Sequence, residues 1–312
     1  MKITLLIVIL LSLCSLNAAA KKLYIYQDEQ GVSHYTDEPP KTEQPVKVRQ
    51  LKVASKQLVW LLQSGEDRKP QFYIRNDYEG PVEVEVKFSE QENARTTPAL
   101  PQRFVIEPGQ SDTLFEVGGI DQNQSWRYTL QYRYTIGSPL AQYSADESYL
   151  PPFAPDASFQ ISQAFGGNFS HTDEQNKYAV DIVMPIGTPV YAARAGMVVE
   201  VEDDFFKSGL NKAYGAEANS IRILHDDGSM AIYAHLELEK AQVYPGLKVT
   251  AGQLIGYSGN TGFSSGPHLH FAVQINKGMT LVSTPFTFIN RDGQAEKPIV
   301  GSWLKGVTAP TR

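Results

Sequence analysis

The sequence of 312 residues contains a single cysteine, Cys14, inside an N-terminal stretch that reads as a removable leader. With that leader gone the chain has no thiol, which excludes disulfides, cysteine metal sites and cysteine nucleophiles. Long apolar runs are missing after the first twenty residues, so no later segment is a candidate membrane span. Apolar residues at helical spacing are also scarce, and there is no His-Glu-x-x-His helix to supply a glutamate base. Nor is there an excess of basic charge. Losing Lys2 with the leader takes one from the 28 Lys and Arg, against 34 Asp and Glu, and leaves a formal charge of -7. Electrostatics therefore gives no reason to expect nucleic acid or an anionic membrane as partner.

The leader is read from Lys2, the largely apolar stretch Ile3 to Leu16, and the small residues Ala18, Ala19 and Ala20. The apolar stretch is short for a membrane helix, which needs about 20 residues, and Ala18 and Ala20 form an Ala-x-Ala cleavage site. Leu13 before Cys14 is too bulky for lipoprotein processing. A periplasmic or secreted location is the expectation.

Strand signals dominate the chain beyond the leader, and the expected fold class is all-β. From Trp126 to Ile136, apolar Trp126, Tyr128, Leu130, Tyr132, Tyr134 and Ile136 alternate with polar residues, which predicts a strand with one buried face. Val82, Val84, Val86 and Phe88 alternate with Glu83, Glu85 and Lys87 in the same way. Turn signals at Glu79-Gly80-Pro81, Pro108-Gly109 and Gly118-Gly119 separate such runs. Residues 55–150 are therefore expected to form an N-terminal β-sandwich, Ig-like in its spacing, and its strand-spaced aromatics are core rather than a carbohydrate platform. Ahead of it, Tyr24 to Asp37 reads as a hairpin around Glu29 to Gly31, and this stretch resembles a short module of unknown function found at the start of secreted bacterial proteins. Lys41 to Lys56 reads as linker, so residues 21–54 are expected to hold hairpin and linker. The prolines at 151, 152 and 155 mark a second boundary, with a further domain over 151–289. Asn290 to Arg312 has few apolar anchors and is expected to be a loosely held tail.

Five of the six histidines fall after residue 170: His171, His225, His235, His268 and His270. Residues two apart on a strand project to one face, so His268 and His270 point one way while Leu269 and Phe271 point the other. Asp181 sits in an apolar frame between Ala179-Val180 and Ile182-Val183-Met184, where a carboxylate is costly unless it meets a cation. His225 borders the turn Asp226-Asp227-Gly228, which places it roughly 17 Å along the ladder from His235, at a hairpin tip in solvent. Gly256-Tyr257-Ser258-Gly259 lacks the spacing of a nucleophile elbow, and its glycines read as turn formers.

Three blocks in order, Asp181 to Ala193, Tyr233-Ala234-His235-Leu236, and Gly252 to Gly266 running into Pro267-His268-Leu269-His270-Phe271, resemble the lysostaphin and LytM family of zinc metallopeptidases over residues 158–289. The resemblance implies a LytM-type antiparallel β-sheet peptidase domain, with zinc held by His171, Asp181 and His270 and with His235 and His268 as the catalytic pair. Three protein ligands leave a fourth position open, as a catalytic zinc site requires. The family's first ligand usually stands four residues before the aspartate, where this chain has Lys177. An ammonium has no lone pair to offer. Reading Thr172 to Asn176 as an inserted loop makes His171 the ligand, with Asp173 or Glu174 the competing one.

The implied activity is hydrolysis of peptide cross-links in peptidoglycan, with zinc activating water and two histidines assisting. A silent cell-wall-binding regulator of a separate amidase is the alternative. The β-sandwich is a further candidate surface for a protein partner.

Overall fold

The computed structural model describes residues 21–29, 33–51, 57–145 and 147–309, so the leader, with Cys14, lies outside the described residues. Two compact units divide at Lys56 and Gln57. In the first, the strands Lys21–Gln27 and Ser33–Thr36 pair antiparallel, with Tyr26 opposite His34, as the hairpin reading requires. His34 is half-exposed, stacks on Tyr26 and reaches Asp28 at 2.8 Å. The linker expectation fails at Lys47–Leu51, which forms a third strand against Lys21–Gln27. Val48 falls opposite Tyr24, and a run that alternates apolar and charged residues pairs once an open edge is at hand.

The second unit is nearly all β. Its first part has two antiparallel sheets. One runs Val59–Glu66, Lys69–Asn76, Phe115–Gly119, Ala94–Thr97, with Gly109–Gln110 on Lys69–Asn76. The other runs Arg127–Ile136, Val82–Glu92, Gln102–Ile106. Val59, Phe72, Ile74, Val82, Val84, Val86, Phe115 and Val117 fill one core between them. The alternating aromatics Tyr128, Tyr132 and Tyr134 pack against that core, half-buried because their strand lies at the edge of its sheet.

A nine-stranded sheet carries the later part. Its path is Lys248–Val249, Gly196–Glu202, Ser220–Leu224, Met230–Ala234, Leu269–Asn276, Val180–Ile182, Ser158–Gln163, Trp303–Lys305, and Leu281–Thr284 also pairs with Leu269–Asn276. Leu269, Phe271 and Val273 point to one face and are fully buried among Ile182, Tyr233, Ile255, Phe286 and Phe288. Burying side chains of this size stabilises the sheet by about 1.5–3 kcal/mol each. His270 and its row neighbours occupy the opposite face.

Two boundary expectations are corrected by packing. Tyr149 belongs to the core of the nine-stranded sheet, so the chain has crossed into that core before the prolines. The tail is not loose: Ala295–Glu296 pairs with Thr287–Ile289, and Trp303–Lys305 adds a strand beside Ser158–Gln163 that buries Leu304. One apolar anchor on a paired strand holds what composition alone makes look unattached. The two cores also meet. Ile136, Val199 and Met230 cluster together, and buried Glu83 accepts from Asn276 Nδ2 at 2.9 Å and from the Met279 N–H at 2.6 Å.

Candidate metal centre

Sheet register builds the centre. Asp181 lies opposite His270 on one side and Gln163 on the other, and His270 lies opposite Ala234, so Gln163, Asp181 and His270 form one row across three strands. Cross-strand neighbours in a row share a face. His235 follows directly on Ala234, and its φ of 63° turns the chain sharply out of the strand. A left-handed conformation is uncommon for a residue other than glycine and marks a constrained position.

The fourth histidine arrives by a loop. Residues 166–178 leave the sheet and close on themselves, the Gly166 N–H donating to Lys177 O at 2.7 Å. The loop brings His171 inward until it is almost fully buried, with Nε2 3.1 Å from Asp181 Oδ1. His270 Nδ1 stands 2.9 Å from the same oxygen. Among the described residues, His171, Asp181 and His270 form a group able to hold a metal, with one donor atom each and all within 4.8 Å of one another.

Proton counting tests the fit. A backbone carbonyl can only accept, so His171 Nδ1, 3.0 Å from Ala164 O, carries the hydrogen and Nε2 turns a lone pair toward Asp181. Nitrogen and oxygen donors about 2 Å from a tetrahedral zinc stand roughly 3.3 Å apart. The observed 2.9 and 3.1 Å lie within a few tenths of that. Two imidazoles and a carboxylate with one oxygen shared between them make a donor set that a divalent cation completes, and zinc suits it.

Protons and a cation compete for the same lone pairs. Burial opposes charge on Asp181, but hydrogen bonds from His171 and His270 win and hold it well below the usual carboxylate range. Burial likewise works against a charged His171, and the bond to Asp181 overcomes it, raising that pKa. His235 moves the other way, pushed down to about 3 by burial and then by the charge of His268. His268 is lowered as well, by burial first.

His235 and His268 are arranged alike. His235 Nδ1 meets Thr261 O at 2.6 Å and His268 Nδ1 meets Gly266 O at 2.8 Å, so each donates to a carbonyl and keeps a lone pair on Nε2. His268 Nε2 lies 3.7 Å from Asp181 Oδ1. The ring centroids of His235 and His268 are 4.5 Å apart, and those of His235 and His270 are 5.8 Å apart. All four histidines and Asp181 thus share one small volume.

His225 is absent from it, as its spacing required, but the expectation of a solvent-exposed tip is wrong. It is 3% exposed, with Nδ1 2.8 Å from Ala195 O and its ring edge-on to Tyr149 at 5.6 Å. Arg194 bonds both carboxylates of the Asp226-Asp227 turn, and Tyr149 covers the ring.

Sequence reasoning missed four supporting residues. Gln163 Nε2 donates to Asp181 Oδ2 at 2.8 Å, which leaves Oδ1 for the centre. Asn176 Oδ1 lies 3.1 Å from His270 Nε2. The Asn219 N–H donates to Thr261 Oγ1, whose hydroxyl donates to Leu236 O, which fixes the loop that holds His235. Amides and hydroxyls in no spaced motif give no signal of this kind. The glycines were legible only as turn formers. At Gly259 a Cβ would lie 2.6 Å from Glu237 N, so it is the chain's own backbone that approaches there. Asp173 and Glu174 stand outside the group of three donors, and the Asp173 carboxylate instead takes the N–H groups of Gln175 and Asn176.

Comparison with known families agrees with this geometry. Residues 175–281 match the model for peptidase family M23, and residues 10–58 match a domain of unknown function (DUF4124). Lysostaphin of Staphylococcus staphylolyticus is 36% identical over 117 residues, 37% of this chain and 22% of that protein. Residues 175–281 form a peptidase family M23 domain. The peptidoglycan DD-endopeptidase ShyA of Vibrio cholerae is 42% identical to this chain over 91 residues, 29% of the chain and 18% of ShyA. The crystallised catalytic domain of lysostaphin from Staphylococcus simulans is 30% identical and is covered over 88% of its length by 46% of this chain, with a TM-score of 0.29. The chain thus spans about a fifth of the length of the curated relatives named. Asp181, His235, His268 and His270 fall inside the M23 segment and His171 falls before it, so His171 enters the site by its position in space.

Proposed function

We propose that this protein is a zinc endopeptidase that hydrolyses the peptide cross-links of peptidoglycan, acting in the periplasm or outside the cell. One observation carries the reading: the donor atoms of His171, Asp181 and His270 converge beside two further imidazoles whose Nε2 atoms are left free. Nothing else in the described fold gathers so many proton-transfer groups.

His171 Nε2, Asp181 Oδ1 and His270 Nδ1 would hold the ion. Bound there, zinc supplies Lewis-acid polarisation of the scissile carbonyl and brings the pKa of a water to about 7. His235 and His268, fixed through Nδ1, present Nε2 as acceptors for the proton that the attacking water gives up. Once protonated, the same nitrogens donate to the oxyanion or return the proton to the leaving amine. Asp181, held anionic, offsets the positive charge that gathers on the surrounding imidazoles.

The substrate class is carried over from a relative, ShyA, which is a peptidoglycan DD-endopeptidase. The preferred bond is the D,D cross-link, in keeping with the similarity to ShyA. The test is release of soluble fragments from purified peptidoglycan by the zinc-loaded protein, with His270→Ala as control. Fragments from the wild type and none from the variant support the assignment. An inert, zinc-free wild type would favour the regulatory alternative.

A further inference from the structure

We infer that Asn176 and Asp173, both on the inserted loop, are positioning residues that set the tautomer of His270 and so present the correct nitrogen to the metal. The inference rests on the zinc reading above.

Its first step is the orientation of an amide. Asn176 Nδ2 lies 2.9 Å from Asp173 Oδ1 and 3.0 Å from Asp173 Oδ2. A carboxylate accepts and never donates, so the atom facing it is the NH2 group and the other end of the amide is the oxygen. That oxygen, Oδ1, lies 3.1 Å from His270 Nε2. An amide oxygen likewise accepts only, which places the imidazole hydrogen on Nε2. The lone pair is then on Nδ1, the atom 2.9 Å from Asp181 Oδ1.

Asp173 is itself anchored. Its Oδ1 accepts the N–H groups of Gln175 at 2.9 Å and Asn176 at 3.0 Å, and its carbonyl accepts from Lys177 at 2.9 Å. A fixed negative charge thus acts through an amide on a ligand imidazole, an arrangement that orients the ring and raises its basicity toward a metal. It also gives the inserted segment a purpose. The loop that delivers His171 at one end brings, five residues later, the group that orients His270, so two ligands depend on one excursion of the chain.

The decisive readout is zinc affinity, by chelator competition on the full chain, beside the melting temperature of the zinc-free protein. Asn176→Leu removes the acceptor and is expected to weaken zinc binding roughly tenfold or more, with zinc-free melting close to wild type because Asn176 is partly exposed and Asp173 exposed. The paired exchange Asp173→Asn with Asn176→Asp reverses the polarity of the contact and keeps an acceptor toward His270. It is expected to bind zinc within about threefold of wild type, the contact being preserved. Independent of any variant, long-range nitrogen–proton NMR of the zinc-loaded wild type should find the His270 hydrogen on Nε2. Wild-type affinity in Asn176→Leu, or weak binding by the exchanged pair, would overturn the inference while leaving the zinc reading intact, and a hydrogen on Nδ1 would overturn it together with the choice of Nδ1 as the ligand atom. A wild type that binds no zinc would overturn both.

Discussion

Gln163 and Asp181 are opposite one another across adjacent strands, and the Gln163 amide donates to Asp181 Oδ2 at 2.8 Å. The same side chain accepts from the N–H groups of Phe169 and Ser170 and donates to Ser170 Oγ at 2.7 Å. One amide therefore holds a buried carboxylate and the start of the loop that carries His171. Hydrogen bonds to a charged group contribute about 1.5–3 kcal/mol. Gln163→Leu is expected to destabilise the zinc-free protein by about 3 kcal/mol in urea titration and to weaken zinc binding as well, since both His171 and Asp181 lose their hold. A stable variant with unchanged zinc affinity would show that the amide is dispensable.

Gly259 separates the two parts of the machinery. An added Cβ would press on backbone at Leu236 and Glu237, directly after His235 and outside the group of three metal donors. Gly259→Ala should therefore displace His235 and lower kcat/KM on a soluble cross-linked muropeptide by roughly tenfold or more, with one zinc per chain retained. Parallel loss of zinc, or full activity, would contradict the division.

His225 makes acid stability informative. Burial, and then the charge of Arg194, push its imidazole down to about 4, whereas the unfolded chain titrates it near 6.5. Between those values the unfolded state binds the additional proton, so stability is complete above about pH 6.5 and falls as pH drops toward 4, by about 3 kcal/mol in all. The buried Nε2 has no hydrogen-bond partner to accept that proton's charge. His225→Asn keeps a donor near Ala195 O and removes the titration. Its unfolding free energy, measured with chelator present, should fall below wild type at pH 7 and approach it by about 3 kcal/mol at pH 4. Parallel curves would rule out this source of acid sensitivity.

The sequence carried the parts of the site that obey local rules. A His-x-His pair puts two imidazoles on one face, and a lone aspartate among apolar residues asks for a cation; both are matters of period and burial that need no knowledge of the rest of the chain. His171 was reachable only by way of a resemblance and an assumed insertion, because a loop that closes on Gly166 and Lys177 leaves no periodic trace. Gln163 and Asn176 were invisible for a related reason: each acts through a contact set by tertiary register, with Asn176 touching a ring 94 residues away. His225 misled because a turn of two aspartates and a glycine looks solvated, while the arginine and tyrosine beside it come from elsewhere in the chain. The strand Trp303–Lys305 was missed since three residues hold too little alternation to stand out.

The shared centre rests most heavily on His171, which lies before the M23 segment and replaces a ligand where the chain has Lys177. The most direct test is the zinc content of purified His171→Ala beside wild type, after equal exposure to zinc and desalting. One zinc per wild-type chain and almost none in the variant is the predicted result. Full zinc occupancy in a folded His171→Ala would contradict the ligand set and return the first position to another donor on the loop.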